Sequence, residues 1–243
     1  MTAVILLPGI GAPARIDYPP LMAELAHSSP VVTKELEVYA ADRPPQHYGL
    51  HLEVDGLDRF ATDHGFDRFH LVGHSIGAAI ALAYAARHPD RVASLALNEP
   101  GTDFSDADRG SLPVERFSDV PEDQRMQWFV QQLGRPGVEM SPLPLPQDPE
   151  MARRPTGMAV ALPAVYTHRV DVDDLRRFRG PAYFSYGSLS NELWERMAER
   201  IPHVLVDCTV ERYEGRHHLD APHRAEPRRL AAALTALWGR AGG

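Results

Sequence analysis

The sequence predicts an α/β fold: a mostly parallel sheet of about six strands flanked by helices, with a segment inserted before its last third. Three observations carry this. Apolar runs of strand length alternate with amphipathic runs of helix length, the pattern of strands joined by crossover helices. One strand-length run, Ala3–Leu7, is apolar at every position, which suits a strand covered on both faces. The alternation lapses from about Gly101 to Arg169 and then resumes, so residues 1–100 and 170–243 read as one core domain and 101–169 as a cap or lid inserted into it.

Each element has its own signal. Ala3-Val-Ile-Leu-Leu7 is the first strand, stopped by Pro8-Gly9. A helix from about Pro19 to His27 opens on a first-turn proline. Val31 to Tyr39 reads as the second strand and Leu50 to His64 as a helix ending near Gly65. Phe69 to Gly73 is the third strand, and the alanine-rich stretch Ile76 to His88 is a helix that Pro89 stops. Arg91 to Leu97 is the fourth strand. Inside the insertion, Gln124–Leu133 is a short helix carrying Met126, Trp128, Phe129, Val130 and Leu133, while Pro136, Pro142, Pro144, Pro146, Pro149 and Pro155 crowd the next twenty or so positions. The aromatic residues favour a packed lid over a loose loop. A helix over 171–178, a strand Pro181–Tyr186, a helix Asn191–Arg200, a strand Thr209–Tyr213 and a helix near His223–Trp238 complete the pattern.

Composition removes several functions. A chain of 243 residues with 44% hydrophobic and 24% charged residues fits one large domain and excludes wholesale disorder. With 25 basic against 33 acidic residues the formal charge is −8, which works against binding nucleic acid or an anionic membrane. The lone Cys208 excludes an internal disulfide and a multi-thiolate metal site, and its place at a strand start suits a small buried hydrophobe. No run approaches the ~18 apolar residues of a membrane span, and the N-terminal apolar run is too short for a signal peptide. A cytoplasmic protein acting on a small molecule is the expectation. No phosphate-binding loop, dinucleotide fingerprint or metal-ligand spacing is present, so neither cofactor nor metal is expected. Arg153-Arg154 and Arg176-Arg177 with Arg179 read as solvated surface.

Gly73-His74-Ser75-Ile76-Gly77 is the most informative string. On its own G-x-S-x-G is common, and an ordinary strand-to-helix turn with a capping serine is the plain alternative. Its setting is specific: an apolar strand ends directly before it and a long helix starts directly after. That is the context in which a sharp turn pushes a serine out at the top of a sheet, with glycines leaving room for the strand and helix to close on each other.

The stretch LVGHSIGAAIALAYAARHPDRVASLAL resembles the core of the α/β-hydrolase fold superfamily, and the order of elements extends the resemblance over nearly the whole chain. Ala3–Leu7 resembles the family's third strand, so its first two strands are missing. The resemblance implies Ser75 as nucleophile and the N–H of Ile76, the following residue, as one oxyanion donor. The second donor is implied at Ile10 in Pro8-Gly9-Ile10-Gly11, where Pro8 replaces the family's frequent histidine. Gly9 and His74 are expected to line the substrate site with Trp128 and Phe129, although core packing of the lid accounts for the two aromatics equally well.

The implied general base is His218 in Tyr213-Glu-Gly-Arg-His-His218, with His217 as runner-up. The family's usual position for the triad acid, three residues after Gly187, holds Ser190, followed by Asn191; neither is a carboxylate, and Glu192 reads as a helix start. Some members, haloalkane dehalogenases among them, carry the acid after the strand that follows the nucleophile helix. Glu99 stands there, 24 residues after Ser75. The carboxylate is therefore expected at Glu99, with a neutral hydrogen bond from Ser190 or Asn191 as the alternative. The implied activity is hydrolysis of a small carboxylic ester through an acyl-enzyme. A non-hydrolytic lyase or cyclase of the same fold, or a binding protein with little turnover, remains open. The substrate and the oligomeric state are not legible.

Overall fold

The computed structural model describes residues 2–26, 29–102, 112–121, 123–141 and 147–242. Six strands form one all-parallel open sheet. In chain order they are β1 (Ala3–Leu7), β2 (Val31–Thr33), β3 (Phe69–His74), β4 (Val92–Asn98), β5 (Ala182–Gly187) and β6 (Cys208–Tyr213), and across the sheet they run β2-β1-β3-β4-β5-β6. The strand order switches sides between β1 and β3, and the C-terminal tips of these strands flank the switch point, the place where open α/β sheets bind ligands.

The helices in chain order are α1 (Ala14–Asp17), α2 (Pro19–Leu25), α3 (Leu50–Asp63), α4 (Ile76–Arg87), α5 (Arg125–Gln132), α6 (Arg154–Tyr166), α7 (Val172–Leu175), α8 (Glu192–Arg200), α9 (Pro222–Ala225) and α10 (Pro227–Ala241). They cover both faces, which explains the unbroken apolar run of β1. Along β1, Val4 and Leu6 pack with Leu21, Leu25, Leu234 and Leu237 of α2 and α10. Ile5 and Leu7 face the opposite core with Leu57, Ile80 and Leu82 of α3 and α4. The two-residue period of a strand thus feeds two cores at once.

The structure redraws four elements. Of the strand predicted over Val31–Tyr39, only Val31–Thr33 pairs with β1. Beyond it the buried Glu53 carboxylate accepts the Glu37 and Val38 N–H groups at 2.8 and 3.1 Å, drawing the chain off the sheet into a 3₁₀ turn. The helix predicted over 171–178 is α7 alone, capped by Asp171. The final helix is broken into α9 and α10 at Glu226, where Pro227 starts a new first turn. Helix α6 lies in the insertion, where the sequence marked only the short helix Gln124–Leu133. Pro155 sits in its first turn, where no N–H is needed, and Pro163 near its end. Pro142, Pro144 and Pro146 lie outside the described residues. Between β4 and β5 the described residues hold α5, α6, α7 and short 3₁₀ turns but no strand. Arg154, at the start of α6, lies 3.9 Å above the Tyr39 ring and pairs with Glu35 at 2.8 Å, tying this segment to the loop after β2. No described helix is long and apolar enough to cross a membrane, and no cluster of ligands that could hold a metal occurs among the described residues.

Candidate active site

Ser75 stands between β3 and α4 with φ 55° and ψ −119°, a conformation L-residues avoid. The surroundings fix it there. Its N–H donates to the Asn98 carbonyl at 2.9 Å, and its own carbonyl accepts from Ala78, Ala79 and Gly101 at 3.0, 3.0 and 3.2 Å. The flanking glycines are required by contact: a Cβ on Gly77 would lie 2.4 Å from the Leu7 carbonyl oxygen, and one on Gly73 2.4 Å from that of Gly77. Strand tip and helix start can interlock this closely only without side chains.

The loop after β6 brings His218 to the serine. Its Nε2 is 3.0 Å from Ser75 Oγ, and its Nδ1 is 2.6 Å from Glu99 Oε2. Glu99 follows β4 directly and has φ 47°; Ser75 and Glu99 are the two non-glycine residues with positive φ among those described. The other carboxylate oxygen, Oε1, accepts the Gly187 N–H at 2.6 Å. An acceptor-only carboxylate places the imidazole proton on Nδ1 and leaves the Nε2 lone pair facing the serine hydroxyl. All three side chains belong to buried residues.

Of the alternative residues, Asn191, Glu192 and His217 are engaged elsewhere. Asn191 caps α8, its Oδ1 accepting from Leu193 N–H at 2.9 Å, and its Nδ2 donates to the Gln132 carbonyl. The buried Ser190 hydroxyl has no hydrogen-bond partner among the described residues. Glu192 starts α8 and faces Arg135 and Arg196. His217 turns Nδ1 toward Asp220 at 3.4 Å. Burial pushes the Cys208 thiol up to about 12, far from the range of a reactive thiolate.

The Ile10 and Ile76 N–H groups have no backbone acceptor among the described residues. Ile76 opens α4, where helical N–H groups have no partner within the helix. The turn carrying Ile10 is held by the Tyr39 hydroxyl, which donates to the Ile10 carbonyl at 3.3 Å.

Above the serine lies a cavity of about 790 Å³, within the range of small-molecule sites. Gly9, Ile10, His74, Ser75 and His218 line it. Phe129 also lines it, whereas Trp128 does not and packs, half-buried, against the core instead. Helical spacing is the reason. Met126, Phe129, Val130 and Leu133 recur on one face of α5 toward the cavity, and residue 128 falls off that face.

Sequence reasoning did not find several neighbours. Trp194 stacks on His218 with ring centres 4.5 Å apart and planes 13° from parallel, its Nε1–H donating to the Pro100 carbonyl at 3.0 Å. Its only signal was an aromatic on the apolar face of α8. Met126, Met140, Met151 and Met158 line the cavity, four of the chain's seven methionines. At another part of its wall, Asp17 lies between His223 Nε2 at 3.0 Å and Arg224 Nε at 3.2 Å. Burial would raise the Asp17 carboxyl, but His223 and then Arg224 hold it below the usual carboxylate range.

Comparison with known proteins gives the family. N-formylmaleamate deformylase of Pseudomonas putida is 28% identical over 141 residues, which are 57% of this chain and 48% of the relative, so the match spans about half the relative's length. Among solved structures, the fold is similar to that of a membrane phospholipase A described as a bacterial virulence factor, with TM-score 0.74, 22% identity and coverage of 100% of this chain and 80% of the other. It is similar too to a malate-bound thermophilic esterase from Thermogutta terrifontis, with TM-score 0.73, 19% identity and coverage of 100% and 91%. Residues 2–135, just over half of the chain, match the family described as alpha/beta hydrolase fold, and the chain belongs to that family.

Proposed function

We propose that the chain is a serine hydrolase that cleaves a small carboxylic ester, or a related acyl substrate, through an acyl-enzyme. The observation that carries this reading is the continuous hydrogen-bonded line from Ser75 through His218 to Glu99. In this mechanism His218 Nε2 takes the hydroxyl proton as Ser75 Oγ adds to the acyl carbon. The Ile10 and Ile76 N–H groups hold the developing oxyanion, each such donor contributing ~3 kcal/mol to the barrier reduction. His218 then gives the proton to the leaving oxygen or nitrogen, and the C–O or C–N bond breaks. A water molecule, deprotonated by the same imidazole, releases the acid and restores Ser75. Glu99 keeps Nδ1 protonated and stabilises the imidazolium. Residues 101–169 act as a cap, with the methionines and Phe129 receiving the apolar part of the substrate.

The deformylase relative favours keeping C–N acyl bonds beside esters within this reading. The test is release of p-nitrophenol from short-chain esters by wild type and by Ser75→Ala. The proposal expects turnover that disappears in the variant. Turnover that survives in Ser75→Ala, or none above background across chain lengths and with N-acyl amides, refutes it and leaves a lyase or a binding protein as the reading.

A further inference from the structure

We infer that His74 determines specificity within this hydrolase site: its Nε2 accepts a hydrogen bond from a donor on the substrate, a hydroxyl or an amide N–H, seated against the Gly9 turn. The inference rests on the serine-hydrolase reading for its substrate but on separate geometry for its direction. His74 ends β3, directly before Ser75, and its Nδ1 is 2.7 Å from Asn98 Oδ1. The Asn98 amide cannot be turned the other way. Its Nδ2 lies 3.2 Å from the Ser185 carbonyl oxygen, which only accepts, and 3.1 Å from the Ser185 hydroxyl. Oδ1 therefore faces His74, and the imidazole proton sits on Nδ1.

One proton is all the ring carries. Burial, followed by the neighbouring His218 and His223, pushes His74 well below its usual range, so the imidazole is neutral. Nε2 is then a bare acceptor. It has no hydrogen-bond partner among the described residues, and the ring lines the cavity beside Ser75 and His218. It faces the residue before the Ile10 N–H: a Cβ on Gly9 would stand 3.4 Å from Nε2 and 2.9 Å from the adjacent Cδ2. A substrate carbonyl reaching for Ile10 N–H passes this edge.

The surroundings have the matching polarity. Asp17 and Arg224 line the same cavity, already engaged with each other, whereas the part formed by Met126, Phe129 and Met140 is apolar. A substrate with a donor at the polar wall satisfies Nε2, and one without leaves a dehydrated acceptor unpaired. Leaving such a group unsatisfied weakens transition-state binding on the order of tenfold.

The experiment compares kcat/KM for two matched ester pairs, both turned over in a Ser75-dependent way. One pair is p-nitrophenyl butyrate and p-nitrophenyl 3-hydroxybutyrate, with the donor on the acyl side. The other is propyl and 2-hydroxyethyl butyrate, with the donor on the alcohol side. Wild type is expected to favour the hydroxylated ester roughly tenfold in one pair. His74→Phe, which fills the ring space without Nε2, is expected to bring that ratio close to one. Because the readout is a ratio between substrates, a general loss of activity does not imitate it. Ratios unchanged by the substitution in both pairs overturn the inference while leaving the Ser75 mechanism intact. Should His74→Phe not fold, ¹⁵N NMR of histidine-labelled Ser75→Ala protein decides. A neutral His74 with a bare Nε2, whose resonance moves with the hydroxylated ester of the preferred pair and not with its plain partner, is expected. A protonated Nε2 in the free protein, or no such movement with either pair, overturns it.

Discussion

Glu99→Gln is the perturbation whose effect the geometry specifies most tightly. The two carboxylate oxygens have different partners: Oε1 accepts from Gly187 N–H at 2.6 Å and Oε2 meets His218 Nδ1 at 2.6 Å. A glutamine must keep its carbonyl oxygen on the Gly187 N–H, because turning it would set two donors against each other. Its NH₂ group then points at His218 Nδ1 and forces that nitrogen to accept. The imidazole proton moves to Nε2, so the lone pair that takes the Ser75 proton in the proposed mechanism is gone while every heavy atom stays in place. A base held in the wrong tautomer costs on the order of 10⁴ in kcat, or ~5.4 kcal/mol of barrier. The assay is the initial rate of p-nitrophenyl butyrate hydrolysis for wild type and Glu99→Gln, with thermal melting of both to verify that the variant is folded. A folded variant within tenfold of wild type would refute the reasoning and hand the orienting role to another group.

Three further outcomes rest on the same kind of contact. Ser75→Gly should be more stable than Ser75→Ala by ~1–2 kcal/mol in urea unfolding, because glycine accepts φ 55° without strain, and equal stabilities would argue against a strained elbow. Gly77→Ala should lose ~3 kcal/mol or fail to fold, since its Cβ would meet backbone oxygen that cannot withdraw, and an unchanged urea midpoint would contradict the interlock. His70, paired with Ser94 and stacked on Trp238, is lowered by burial and then by Arg68 to about 4. Its folded value lies below the unfolded value near ~6.5, so its contribution is complete above that pH and is lost on going down toward pH ~4, by up to ~3 kcal/mol. His70→Phe should flatten the stability-against-pH curve across that window, and an unaltered slope would assign the acid sensitivity elsewhere.

The legible part of the sequence was local. The elbow could be read because strand, turn glycines and alanine-rich helix lie within one short stretch, and each residue type answers to a contact inside it. The alternation of strand-length and helix-length segments pointed to the parallel sheet, because each segment carries its own pattern. Glu99 and His218 are 119 positions apart, and no periodicity links them; a family resemblance singled them out, and the 2.6 Å contact is a product of the sheet order. The cavity wall was least legible. Asp17, His74 and Arg224 come from three distant elements, and nothing near any one of them in sequence announces the others. Helix α6 was hidden by Pro155 and Pro163, which usually signal breaks; Pro155 occupies the first turn, which tolerates it, while Pro163 lies inside the helix. Trp128 shows the reverse error: an aromatic in the right segment, on the wrong face of its helix.

The central claim is that the Ser75 oxygen forms the covalent bond to the substrate's acyl carbon. Mass spectrometry of the intact protein after incubation with diethyl p-nitrophenyl phosphate tests it directly, because the phosphoryl group transfers to an activated serine and stays there. The account predicts a single adduct, located on the peptide containing Ser75 and absent from Ser75→Ala. An adduct of equal extent in Ser75→Ala, or one located on another residue of the wild type, would contradict it.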